Sequence, residues 1–109
     1  MMTIKSLTVI SGDGQRVEPG DGFAALTVHA LNAEDQPAPG QAVSFYVNDS
    51  NGTGTDFHGS SPVIVTTDID GICSTDVPLS AGQTAGSVEI IASSGRARTT
   101  FILRVVEAV

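Results

Sequence analysis

Apolar side chains recur at every second position in several runs of this chain, and Gly, Pro, Asn or Asp interrupts each run. In residues 23–32, for example, Leu26 and Val28 are apolar, whereas Thr27 and His29 beside them are polar. Successive side chains of a strand point to opposite faces, so each run has one face for burial and one for solvent. The repeated alternation predicts an all-β protein, a sandwich of two antiparallel sheets.

About seven strands are predicted, which fits a single sandwich domain spanning residues 1–109. The predicted strands are residues 4–11, 23–32, 41–47, 62–67, 72–79, 87–93 and 96–106. Residues 15–17 are a candidate for a short additional pairing, and Ser94-Gly95 is the predicted hairpin turn before the last strand. A chain of this length buries roughly two-thirds of its unfolded surface, which suffices for a core without cross-links.

The composition excludes several classes of protein. Cys73 is the only cysteine, so no intramolecular disulfide can form, and its inward position on a predicted strand favours a small core side chain. Twelve acidic and five basic residues give a net charge of −7. This balance argues against a nucleic-acid partner, because phosphate binding needs clustered Lys and Arg. No apolar run reaches the length of about 18 residues typical of a spanning helix, so no membrane insertion is expected.

No group of residues predicts catalysis or a cofactor. His29 lies on the polar side of its predicted strand, an ordinary place for an exposed side chain. His58 shares a loop with Asp56, Ser60 and Ser61, the residue types of a catalytic triad, but active-site geometry usually needs rigid supporting elements. The sequence therefore predicts a protein that is not an enzyme, with no catalytic residue and no cofactor.

A short acidic segment, residues 68–71, has some features of a calcium-binding loop. Asp70 occupies a ligand position of such a loop, but Ile72 and Leu79 stand at the fifth and twelfth positions, where oxygen ligands are required. A tight turn between two strands explains the segment better, and no metal site is predicted.

Turn and core residues along nearly the whole chain carry a family resemblance. They are Leu7-Thr8-Val9, Gly14-Gln15, Leu26-Thr27-Val28, Gln36-Pro37, Gly40-Gln41-Ala42-Val43-Ser44-Phe45, Thr67-Asp68-Ile69-Asp70-Gly71, Ala85-Gly86 and Ala92. In these positions the chain resembles the bacterial immunoglobulin-like group 1 domain, the tandem repeat of intimin- and invasin-type adhesins. The resemblance implies an immunoglobulin-like antiparallel β-sandwich, and the single cysteine leaves this sandwich without a disulfide.

Domains of that family usually act as rigid spacers or adhesive modules at the cell surface. By this resemblance we expect a non-enzymatic structural or interaction module for cell adhesion, a monomer or part of a tandem array, with a protein or glycan partner. The first residues lack the basic and apolar segments of a signal peptide, so the compartment is left open. The alternative is an autonomous small protein- or carbohydrate-binding module in the cytosol or on a phage particle.

One outer face is a candidate interaction surface. The last predicted strand points Arg98, Ile102 and Arg104 outward, the strand before it points Ile91 outward, and the third strand contributes Tyr46. These strands are neighbours in an immunoglobulin-like sheet. Exposed apolar side chains beside Tyr and Arg are typical of interfaces. The plainer alternative is cross-strand packing, with the charges protecting the sheet edge.

The longest irregular stretch, residues 48–61, is a second candidate for recognition. It is rich in Asn, Gly, Thr, Ser and Asp, and polar loops of this length often carry binding residues. The candidate recognition residues are Asn48, Asp49, Asn51, Asp56, Phe57 and His58.

Overall fold

The alternating runs form ten β-strands in a computed structural model, which describes residues 4–57 and 62–107. The strands are β1 (Ser6–Ser11), β2 (Arg16–Val17), β3 (Gly22–Phe23), β4 (Thr27–Leu31), β5 (Ala42–Asn48), β6 (Val63–Thr66), β7 (Ile72–Ser74), β8 (Leu79–Ser80), β9 (Gly86–Ser94) and β10 (Ala97–Val105). No helix occurs in these two described segments, in agreement with the two-residue periodicity.

The strands lie in two layers. One layer is a five-stranded sheet with the order β2-β10-β9-β5-β6, and the other combines the sheets β1-β4-β7 and β3-β8. Alternate side chains from both layers form one buried apolar cluster between them, so the predicted sandwich is confirmed. Neighbouring strands are antiparallel except for β2 and β10, which run parallel. The predicted antiparallel sandwich is confirmed, and this short parallel pairing is an addition that the sequence pattern did not predict.

Two of the predicted strands are interrupted. Residues 23–32 form β3 and β4 with a gap between them, and residues 72–79 form β7 and β8. The two gaps face each other, and a side chain replaces a backbone partner there: Leu26 N donates to Thr75 Oγ1 at 3.1 Å. Pro78, which has no N–H to donate to a sheet, lies in the second gap. Interruption of these two runs accounts for much of the difference between about seven predicted strands and ten observed.

The hairpin turn before the last strand lies one residue later than predicted. Ser94 pairs with Ala97, so the two turn residues are Gly95 and Arg96. In a two-residue hairpin the residues that flank the turn exchange backbone hydrogen bonds, and this exchange recurs at every second residue. The even-numbered residues of β10 therefore direct their backbone N–H and C=O groups away from β9, toward β2.

The core lies between the two layers and consists mainly of apolar side chains from the alternating runs. Phe45 on β5 and Phe101 on β10 are fully buried, with ring centroids 6.5 Å apart and ring planes tilted by 39°. Leu26 and Ile90 are also fully buried. All four occupy apolar positions of the alternating runs, so the two-residue pattern correctly predicts which face of each strand is buried.

Two turns at the same end of the sandwich share one hydrogen-bonding pattern. In each turn the first side chain, Asn32 or Asp68, accepts hydrogen bonds from the N–H groups two and four residues later, at 2.8–3.1 Å. The fourth residue, Asp35 or Gly71, has a left-handed φ of 60° or 76°. Glycine adopts this conformation without strain, whereas a β-carbon makes it unfavourable.

We expect Asp35→Gly to raise the free energy of unfolding by about 0.5–1 kcal/mol, because glycine removes the strain of the left-handed backbone. Gly71→Ala is the matched comparison and should destabilise, because its β-carbon would also lie 2.7 Å from Ala30 O and 2.9 Å from Ala38 N. Urea unfolding of both variants measures the two effects. Equal and small changes in both would contradict this account of the turns.

The chain enters the sandwich at one end and leaves it at the other. Ser6, at the start of β1, pairs with Leu31 at the end where the β4–β5, β6–β7 and β9–β10 connections lie. From there β10 runs toward the opposite end, where Val106 N donates to Val17 O at 2.8 Å. The body measures 49 × 22 × 21 Å. The first and last described residues therefore lie at opposite ends of the sandwich.

Candidate functional site

The five residues of the predicted interaction face lie on three adjacent strands, β5, β9 and β10. Tyr46 pairs directly with Ile91, and Ile91 is in turn opposite Thr100. Ile102 is opposite Glu89, which makes it a diagonal neighbour of Ile91. Diagonal pairs on one face of a sheet lie within reach of long side chains. The structure therefore brings the three predicted apolar side chains together.

A fourth apolar residue, Ile64, belongs to the same outer face. It pairs with Ser44 on β5 and is 61% exposed, compared with 50% for Ile102. Tyr46 and Ile91 are half-buried by their neighbours. Sequence reasoning missed Ile64, although Val63 and Val65 on either side of it alternate with it and point toward the core.

Arginines lie along one side of this face. Arg98 is opposite Ser93, Arg104 is opposite Ser87, and Arg104 also pairs with Arg16 on β2. All three arginines are exposed. Arg16 was not among the predicted residues, because its place beside β10 depends on the parallel pairing that the sequence pattern did not predict.

The carboxylate of Asp49 organises the predicted recognition loop from within. It accepts hydrogen bonds from Thr53 N at 2.9 Å, Thr53 Oγ1 at 2.8 Å and Gly54 N at 2.7 Å. Partial burial acts to raise the pKa of Asp49, but the hydrogen bonds from Thr53 and Gly54 together outweigh it and hold the pKa below its ordinary value of 3.8. The charged carboxylate is therefore the form that fits this loop.

We expect Asp49→Asn to destabilise the protein at neutral pH and to have a smaller effect in acid. A lowered folded-state pKa means that ionised Asp49 contributes stability above its unfolded pKa, and this contribution is lost as the pH falls through the folded pKa. Urea unfolding of the wild type and the variant at pH 7 and at about pH 3 measures the difference. A stability difference that grows toward acid pH would contradict the assignment.

Other residues of the loop also make internal contacts. Asn51 Nδ2 donates to Ser87 O at 2.8 Å and to Ser87 Oγ at 3.0 Å, and Asn48 Nδ2 donates to Glu89 Oε2 at 3.3 Å. Backbone hydrogen bonds of 3.0 and 3.1 Å join Asp56 to Ser80. Through residue 57, the loop is tied to β8 and β9 rather than standing free.

Phe57 requires a correction. Its side chain is fully buried, so it belongs to the core and cannot contact a partner on the surface. An aromatic residue in a polar loop has no alternating neighbours to reveal an inward direction, which is why the sequence pattern gave no signal. His58, the remaining predicted loop residue, lies outside the described residues, as do Ser60 and Ser61.

The other residues that were weighed for chemistry have structural partners. Asp68 Oδ1 accepts hydrogen bonds from the N–H groups of Asp70 and Ile72, as the predicted turn requires. His29 Nε2 lies 3.1 Å from Asp70 O, within hydrogen-bonding distance. Across residues 4–57 and 62–107, no group of three or more His, Cys, Asp or Glu side chains is arranged to hold a metal ion. The same residues include no helix long and apolar enough to cross a membrane.

Cys73 is a buried thiol, as its inward position predicts. Burial raises its pKa to about 11, and the negative charge of Asp68 acts in the same direction. We therefore expect iodoacetamide to leave Cys73 unmodified in the native protein near pH 8 and to alkylate it once urea unfolds the chain. Mass spectrometry of the intact protein measures this, and rapid alkylation without denaturant would contradict the burial.

A shallow groove of about 210 Å³ lies where the two predicted strands, residues 23–32 and 72–79, are interrupted. It is lined by Phe23, Ala24, Ala25, Thr75, Asp76, Val77, Pro78 and Leu79. The sequence prediction missed it because continuous strands would leave no such gap. Its lining contains a single ionisable side chain, Asp76, and carries no constellation for catalysis.

Two solved structures have a similar fold. Domains 4 and 5 of the S-layer protein SbsC match with a TM-score of 0.59 and 18% identity, over 97% of this chain and 54% of that one. The D00-D0 domain of intimin matches with a TM-score of 0.55 and 15% identity, over 100% of this chain and 48% of that one. The present chain thus spans about half of each. No protein-family model and no curated protein matches the sequence. The structural likeness confirms the predicted immunoglobulin-like β-sandwich fold.

Proposed function

We propose that this domain is a non-enzymatic structural module, a rigid spacer that carries tension between the parts of a surface protein. The observation that supports this most directly is that the start of β1 and the end of β10 lie at opposite ends of the sandwich, in a body that measures 49 × 22 × 21 Å. Similar folds occur in an S-layer protein and in intimin, within chains about twice as long.

The pairing of the first and last segments of the chain suits such a role. The segment leading into β2 runs in the same direction as β10, so pulling the chain ends apart slides these segments past each other. The hydrogen bonds loaded in this way are Gly14 N to Ile102 O (3.0 Å), Ile102 N to Asp13 Oδ1 (2.8 Å), Arg104 N to Gln15 O (2.9 Å) and Val106 N to Val17 O (2.8 Å). Under shear these bonds share the load, whereas a peeled hairpin breaks them one at a time.

The Gln15 side chain joins the same segment to the opposite layer. Its amide oxygen accepts from Ala24 N at 2.7 Å, and its amide nitrogen donates to Ala24 O at 3.1 Å and to Gly12 O at 2.7 Å. The amide thus pairs with Ala24 as a neighbouring strand would. The first segment of the chain is consequently bonded to both layers of the sandwich.

Single-molecule force spectroscopy, with the protein pulled by its two termini, tests the proposal. We expect Asp13→Ala to lower the unfolding force, because it removes the hydrogen bond from Ile102 N that is loaded in shear. Asp21→Ala is the matched control, since it makes the same change of charge at another exposed position. A low wild-type unfolding force that Asp13→Ala leaves unchanged would overturn the proposed mechanical role.

A binding module remains the second candidate, favoured by the exposed apolar and arginine side chains of β5, β9 and β10. Binding to the native state raises stability by RT ln(1 + [L]/Kd). A rise in melting temperature on titration with a glycan or a candidate protein would support this function. An unchanged melting temperature, together with the predicted mechanical effect of Asp13→Ala, would favour the spacer.

A further inference from the structure

This protein is acidic, but among the described residues most basic side chains lie on one broad surface, the outer face of the five-stranded sheet. We refer to it as the arginine-rimmed face; its residues are Tyr46, Ile64, Ile91 and Ile102 with Arg16, Arg98 and Arg104. The face also contains one carboxylate, Glu89 opposite Ile102, which accepts a hydrogen bond from Asn48 Nδ2 at 3.3 Å. These arginines are three of the five basic residues in a chain with a net charge of −7. The face therefore favours a partner that is apolar at its centre and acidic around it.

A surface that is apolar at its centre and acidic around it occurs on this same molecule, at the end where the β4–β5 and β6–β7 connections lie. Ile69 is 84% exposed, the largest exposure among the large hydrophobic side chains described, and lies between Asp68 and Asp70 at the tip of a turn. The adjacent turn adds the exposed carboxylates of Glu34 and Asp35. We refer to these five residues as the acidic tip.

Hydrogen bonds hold the turn of the acidic tip in place, and none of those described below involves the side chain of Ile69. Asp68 fixes the turn through its hydrogen bonds to the two later N–H groups, and Gly71 N donates to Asp68 O at 2.9 Å. A further hydrogen bond of 2.7 Å, from Ala30 N to Gly71 O, ties the turn to β4. A preorganised contact loses little conformational entropy on binding.

We propose that the arginine-rimmed face binds the acidic tip of a second copy of this chain. Ile69 would pack against Ile91 and Ile102, and the carboxylates around it would lie against Arg98 and Arg104. Pairing two arginine-rimmed faces would instead place like charges opposite each other. Because the two surfaces differ, a bound pair still has one free arginine-rimmed face and one free acidic tip, so the contact propagates as an open array and does not close as a dimer.

The contact is a weak one. The end of the body is only 22 × 21 Å across, which limits the buried area to less than the roughly 800 Å² per partner typical of stable complexes. Its charge component is screened by salt. This inference goes beyond the proposed spacer role and does not depend on it, because the two surfaces are formed by one folded domain.

Sedimentation velocity over a range of protein concentrations tests the proposal. We expect the average mass of the wild type to rise with concentration and to fall when NaCl is added. Ile69→Ser and Ile102→Thr should each weaken self-association about tenfold, the loss expected for roughly 1.4 kcal/mol of apolar contact. Ile10→Ser is the matched control, because Ile10 is 53% exposed on β1, outside both surfaces.

A mixture of the Ile69→Ser and Ile102→Thr variants tests whether the two surfaces bind each other. Ile69→Ser keeps an intact arginine-rimmed face and Ile102→Thr keeps an intact acidic tip, so the mixture should form one-to-one complexes and nothing larger. A wild type that stays monomeric at every concentration and salt level overturns the proposal. So does a mixture that fails to associate, or an Ile10→Ser variant that loses association as strongly as the other two. Thermal unfolding establishes that each variant is folded.

Discussion

Replacing Phe45 with alanine is expected to lower the free energy of unfolding by about 3–5 kcal/mol, the range for removing a large buried aromatic side chain. Phe45 is fully buried on β5, an interior strand of the five-stranded sheet, and the centroid of its ring lies 6.5 Å from that of Phe101. The loss combines the transfer of the ring out of water with the cavity that remains. It is a large share of the roughly 5–15 kcal/mol that stabilises a domain.

Tyr46→Ala is the matched control for this prediction. Tyr46 is the next residue on the same strand and points to the opposite, outer face, where it is only half-buried. Its removal should therefore cost much less stability than the removal of Phe45, although the two side chains have nearly the same size. Urea unfolding of both variants compares them, and an equal or greater loss for Tyr46→Ala would be incompatible with the two-sheet arrangement.

Gly82→Ala is expected to cost at least about 3 kcal/mol, which places it among the most damaging single substitutions. A β-carbon at this position would overlap the carbonyl oxygen of Thr53 and lie 2.5 Å from two backbone atoms of Gly54. Because the obstructing atoms belong to the backbone, no side-chain rotation relieves the overlap. The loop segment at Thr53 would have to leave the strand end that it packs against, including the hydrogen bond from Thr84 N to Thr53 O.

The control for this prediction is Gly22→Ala. Gly22 lies on β3, close to Gly82 in the structure, and its added β-carbon would have one ordinary contact, 3.9 Å from Leu79 O. Chemical denaturation should show a small effect for Gly22→Ala and a large one for Gly82→Ala. Similar losses in the two variants would mean that close backbone packing at residue 82 does not limit stability.

The predicted core follows from local alternation, because side-chain direction in a strand depends only on the position along that strand. Phe45, Ile90 and Phe101 could therefore be assigned to the interior without knowledge of the strand order. The neighbouring positions of Tyr46, Ile91 and Ile102 needed one further assumption, the order of strands in an immunoglobulin-like sheet, which the structure has.

The features that sequence reasoning missed depend on contacts between distant residues. The break before β4 arises where the Gln15 side chain pairs with the backbone of Ala24, nine residues away. Arg16 joins the arginine-rimmed face through the parallel pairing of β2 with the last strand. Burial of Phe57 depends on how its loop folds against β8. None of these contacts leaves a periodic signal in the sequence.

Asp49 and Asp68 show how a turn can resemble a ligand site. Both carboxylates lie in segments whose composition fits recognition or metal binding, and both accept hydrogen bonds from nearby backbone N–H groups. Asp and Asn side chains commonly stabilise turns in this way. The sequence pattern was sufficient to favour a turn at residue 68 but did not reveal the same role at residue 49.

The distance between the two chain ends is the most direct test of the account, in which a two-layer sandwich receives the chain at one end and releases it at the other. Spin labels attached to the exposed positions of Lys5→Cys and Glu107→Cys allow this distance to be measured by pulsed electron paramagnetic resonance, while Cys73 stays buried. We expect a single narrow distance distribution beyond about 30 Å, the span of a nine-residue strand. A distance shorter than the 22 Å width of the body would contradict it.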